Sequence, residues 1–236
     1  MPASRPTESD RAANLEGRYA ALHADMVAQY ERYVALGGHW ALYVFLGWEH
    51  LAACAASYWM KERWGWQNPW AFAALWLVQV GVALGAVMAA RRRTPARKSP
   101  LQRHVDRTWT VFLLLCWNVA ILNVLAGQPV FVFLPVLATL SSFAFLVLSS
   151  ILSWRFLAAA LVLCVCGGLI ARFPAYGFLI YGGGWLVVLE ALGVVFFRKR
   201  KRWLPAATGS AAGVSPDRHR QASRRAPSVA RDSASA

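Results

Sequence analysis

Six long apolar runs fill the middle of this chain, at about 39–60, 70–90, 108–127, 129–151, 154–172 and 174–197. Each is about 20 residues, the length that carries an α-helix across the hydrocarbon core of a bilayer. Within the runs hydrophobicity is continuous rather than alternating. A backbone immersed in lipid must close all its own hydrogen bonds, and continuous runs do so as helices, not as strands of a barrel. The pattern therefore predicts a six-helix transmembrane bundle over 39–197.

The stretch before the first run has a different period. Leu15, Tyr19, Leu22, Met26, Tyr30 and Tyr33 recur at spacings of three and four with charges between them. This is an amphipathic helical stripe. Thr7 and Asp10 have the spacing of a capping box at its start, and Gly37-Gly38 marks its end. Residues 1–38 are thus expected to form an amphipathic N-terminal segment, loose over 1–8 and helical over 9–37. Such a helix suits the bilayer surface, the underside of the bundle, a protein partner or a second copy of the chain. After the last run, residues 198–236 are rich in Arg, Ser, Ala and Pro, and they are expected to form a disordered basic tail.

Composition agrees with this layout. The chain has 236 residues, 58% hydrophobic and only 15% charged. A soluble domain of that size has too little interior to hide so much apolar side chain. The net charge of +14 would fit nucleic acid, but its placement does not. The basic stretches from Arg91 to Arg107 and from Arg198 to Arg202 abut apolar runs, where topology and anionic lipid headgroups account for them. An even number of crossings puts both ends on one side, and that side then holds 22 of the 25 Lys and Arg. The positive-inside rule places it in the cytoplasm. The first run begins too late for a cleaved signal and is read as an uncleaved anchor, in a cell or inner membrane.

The connections on the opposite side are short. Ala126-Gly-Gln-Pro129 and Ala171-Arg-Phe-Pro174 are similar, and Pro69 opens the second run. These features describe three helical hairpins that turn at proline, which is also a residue suited to the first turn of any helix. Trp64, Trp66, Trp70, Trp109, Trp154 and Trp203 lie near run ends and are expected at the headgroup level.

Polar side chains inside a bilayer are costly and so are informative. The candidate cluster is Glu49, His50, Gln79, Asn118, Asn123, Ser142 and Glu190. Most share a helical face with Ala, Ser or Gly, the residues of close helix contact. The Gly81-xxx-Gly85 pair is a further close-packing surface. These polar groups either bond one another and join helices, or line a path for a solute or proton with Glu49 and Glu190 titrating. A metal or cofactor held by His50, Glu49 and Cys54 would need more ligands than one intramembrane histidine supplies. The four cysteines, Cys54, Cys116, Cys164 and Cys166, all fall inside apolar runs and form no CxxC pair. They are read as small packing residues.

No GxGxxG, P-loop, GxSxG or HExxH motif occurs. The expectation is an all-α polytopic membrane protein without cofactor or metal and with no enzymatic activity. Its role would be regulatory, sensory or scaffolding; a small-solute or proton-coupled transporter is the alternative.

Overall fold

The computed structural model describes residues 8–65, 69–92, 100–127 and 130–212. Thr7, Trp66, Gln128, Pro129, the 93–99 stretch and the tail from 213 onward lie outside them. The described residues are all-helical. They form α1 (Glu8–Leu36), α2 (His39–Trp64), α3 (Pro69–Arg92), α4 (Pro100–Leu125), α5 (Val130–Ile151), α6 (Arg155–Arg172) and α7 (Gly177–Ala212). One 3-10 turn, Pro174–Tyr176, leads into α7.

Five of these helices, α3 to α7, are long and apolar enough to cross a membrane. They mark the chain as a membrane protein. The sixth expected crossing, α2, is 26 residues long but is not among them. Glu49, His50 and its Trp and Tyr residues dilute its hydropathy. Two boundaries also differ from the sequence pattern. The fourth helix begins at Pro100 rather than 108, so the end of the basic stretch is its first turns. The last helix runs on to Ala212, so the first part of the basic tail is helical rather than disordered.

The bundle is built around α7. Antiparallel α2 lies along it, and α5 and α6 form a tight hairpin whose α6 face completes the other side. Close approach is bought with glycine. A Cβ at Gly182 would stand 2.7 Å from Cys54 Cβ, and one at Gly193 would stand 2.9 Å from Val44. Across the same seam Gly47 faces Leu186 and Leu189. Small residues let two helix backbones approach, which is how helices bind one another in lipid. On α6, Gly167 rests on Ala138 of α5. The Gly81-xxx-Gly85 surface behaves differently: nothing lies within 4 Å of where either Cβ would be. Both glycines face outward on α3, which packs against α2 at the edge of the bundle.

Helix α1 folds back under the helix ends. Gly38 makes the turn with φ +72°, a left-handed conformation that glycine adopts without strain. The second half of α1 is docked. Tyr30 and Val34 are buried, Met26 and Tyr33 pack against the core, and Glu31 forms an ion pair with Lys199 of α7. Loss of water at this contact, then the neighbouring Tyr43, holds the Tyr30 hydroxyl well above the usual tyrosine range, so it stays protonated. His23 Nε2 donates to the carbonyl of Ile151 at 3.0 Å, satisfying an orphan acceptor at the end of α5. Leu15, Tyr19 and Leu22, in the first half, are exposed.

Candidate functional site

The polar residues in the middle of the helices divide among three places. The first is the α2–α3 contact. Glu49 is half-buried and accepts a hydrogen bond from Gln79 Nε2 to its Oε2 at 3.0 Å. This bond ties the peripheral α3 to the bundle.

The second place is the α2–α7 seam, one residue further on. His50 sits among three aromatic rings: Trp76 of α3 at 5.7 Å, Tyr181 at 5.3 Å and Trp185 at 5.5 Å, both of α7. Its Nε2 is buried and has no hydrogen-bond partner among the described residues. Trp185 is the hub of the arrangement. It also meets Trp109 and Phe112 of α4 at 6.1 and 6.2 Å and Phe145 of α5 at 5.5 Å. Trp109 is therefore half-buried among aromatic rings. It turns inward, edge-on to Phe145, because the facing helices offer aromatic surface with T-shaped geometry. Trp64, Trp70 and Trp154 are exposed near helix ends.

The third place is the α5 face. Ser141 is fully buried and donates to the Leu137 carbonyl at 2.8 Å. Its proton being spent there, the Tyr181 hydroxyl donates to Ser141 Oγ at 3.0 Å, linking α7 to α5. Ser142 donates to the Ala160 carbonyl of α6 at 2.7 Å.

The remaining candidates are elsewhere. Asn123 is half-buried toward the far end of α4. Glu190 is half-buried on α7, between the side that meets α2 and the exposed Val187 and Val194. Asn118 is exposed on the outer face of α4. The structure thus joins Glu49 to Gln79 and places His50 beside them in an aromatic cage, while Asn118 faces away from that group.

Two of the four cysteines, Cys54 and Cys166, take buried packing positions, whereas Cys116 is half-buried and Cys164 is exposed. Cys54 is fully buried against Gly182, and Cys166 lies against Gly184, whose Cβ would meet its sulfur at 2.5 Å. Among the described residues no three His, Cys, Asp or Glu side chains gather as a metal-binding group. The cage around His50 went unread in the sequence, since its rings come from α2, α3 and α7, and the wider cluster adds α4 and α5. A cavity of about 10 Å³ lies where α1 meets the α5–α6 turn and the middle of α7, lined by Tyr30, Glu31 and Arg155 among others. It is roughly the volume that one water occupies. No family model, curated protein or solved structure matches this chain.

Proposed function

We propose that this chain is a six-helix integral membrane protein with both termini in the cytoplasm. It acts as a non-enzymatic regulatory, sensory or scaffold component whose intramembrane polar groups hold the bundle together. The observation that carries this proposal is that three of the polar contacts run across helix boundaries. Glu49 bonds Gln79, Tyr181 bonds Ser141, and Ser142 bonds the backbone of α6. Packed glycine seams support the same role. The basic stretches at Arg91–Arg92 and Arg198–Arg202 are suited to anionic headgroups, and the exposed half of α1 is suited to a protein partner.

The sixth crossing is α2. Its polar residues turn toward α3 and α7, so its low hydropathy reflects groups that meet protein rather than lipid. Topology reporters test this. Fusions at residues 100 and 210 are expected to report cytoplasm, and one at residue 66 the opposite side. The N-terminus is decisive for α2. It reports cytoplasm if α2 crosses, and it reports the same side as residue 66 if α2 does not.

A second function is favoured by one observation: Glu49 adjoins His50, whose buried Nε2 lacks a partner. That pair is suited to a proton-linked transporter. Substitution at Glu49 separates the two roles. As a joint between helices, Glu49→Gln keeps a bond to Gln79 and leaves the thermal transition in detergent nearly unchanged. Glu49→Leu orphans Gln79 and costs about 1 kcal/mol. In a transporter, Glu49→Gln is equally stable yet abolishes proton-dependent flux in liposomes.

A further inference from the structure

The outer face of α4 carries a regular seam that none of the described residues covers. Val111, Leu114, Asn118, Ile121 and Leu125 are spaced three, four, three and four apart, and all are exposed. The opposite face of the helix, with Val105, Trp109, Phe112 and Cys116, packs into the core. Spacings that alternate between three and four are the heptad pattern by which two helices interlock as knobs into holes. In lipid the apolar members carry no inference, since acyl chains solvate them as well as another helix would.

Asn118 is different. Its carboxamide offers one acceptor and two donors and has no partner among the described residues. It stands about 15 Å from the start of its apolar run at 108 and about 10 Å from the end of α4 at Leu125, and the side chain is too short to reach headgroups from there. A strongly polar group in that position is expensive unless another protein surface bonds it. Two copies inserted in one membrane share their orientation. A two-fold axis along the bilayer normal therefore sets α4 parallel to its counterpart and in register. Asn118 then meets Asn118 of the partner subunit, and a carboxamide is complementary to itself, each N–H donating to the other carbonyl. A single asparagine at such a core position is also the device that fixes register and a two-stranded state.

We infer that this protein is a homodimer joined along α4, with the paired Asn118 amides as its polar lock; the inference rests on the membrane placement proposed above. The test uses the full chain carrying donor or acceptor fluorophores on a C-terminal tag, reconstituted in liposomes over a range of protein-to-lipid ratios. Wild type is expected to show density-dependent energy transfer with a two-copy stoichiometry. Asn118→Leu is expected to weaken association about ten-fold, the loss of one to two intramembrane hydrogen bonds, and Asn118→Gln is expected to retain it. Ile121→Trp, which removes no polar group, should weaken pairing by steric clash, whereas Val78→Trp on the outer face of α3 should not. Wild type that resists carbonate extraction yet stays monomeric at every density overturns the dimer and leaves the membrane placement standing. So does unchanged transfer in Asn118→Leu and Ile121→Trp, or a native complex with one copy of this chain and a different protein on α4. Release of the chain by carbonate overturns the placement and the dimer together.

Discussion

Trp185→Ala is expected to lower the unfolding free energy by about 3 kcal/mol. Trp185 is 7% exposed and touches rings from four other side chains besides His50: Trp109, Phe112, Phe145 and Tyr181. Truncation leaves a void that rigid aromatic neighbours are slow to fill. The expectation sits at the low end of the range for aromatic deletions, because transfer from water contributes little when the alternative environment is lipid. The loss reaches α2, α4, α5 and α7 at once, so cooperative unfolding in detergent should shift as a whole. Trp154→Ala, at an exposed turn, serves as the comparison and is expected to change the midpoint little. A Trp185→Ala transition matching wild type would show that the aromatic cluster is not what joins these helices.

Gly182→Val is expected to cost about 2–3 kcal/mol, by overpacking rather than by a void. The first added carbon already falls 2.7 Å from Cys54 Cβ and 3.3 Å from the α carbon of Leu51. Neither neighbour is the free end of a flexible side chain, so α2 and α7 must separate. The same substitution at Gly81, where nothing lies within 4 Å, should leave the unfolding midpoint of the chain unchanged. Thermal unfolding of the two variants side by side measures the difference. Equal effects would mean that the α2–α7 seam is looser than its geometry implies.

The hydrophobic runs made most of the helices legible, because a segment continuously apolar over 20 residues has few alternatives. What each helix faces was much less so. In a helix apolar all round, no moment distinguishes the side that meets protein from the side that meets lipid. Small residues do line the contacts of α7, where Gly182 and Gly184 touch Cys54 and Cys166. On α3 the Gly81-xxx-Gly85 pair misled, since both glycines face outward. Trp109 was assigned by its distance from the run end, yet packing against Phe145 and Trp185 draws it inside. Of the candidate polar residues, Glu49 and Gln79 do meet, but the alignment of Asn118 with the others could not be judged. Its own helix supplies two faces of similar hydrophobicity, and only the tertiary arrangement says which one is covered. The continuation of α7 past residue 202 had no apolar signature, only Ala-rich composition that favours helix without requiring it.

The 36 residues of α7 form one uninterrupted rod. At 1.5 Å per residue it is about 54 Å long, so it overshoots a 30 Å hydrocarbon core by about 24 Å. Its lower portion is strapped to α1 by the Glu31–Lys199 ion pair and to α2 by Phe196 stacked on Tyr43. With α7 crossing the bilayer as proposed above, a tilt of about 10° would sweep the far end of a 24 Å extension through roughly 4 Å. Such a tilt would carry Lys199 with it and, through the ion pair, Glu31 of α1.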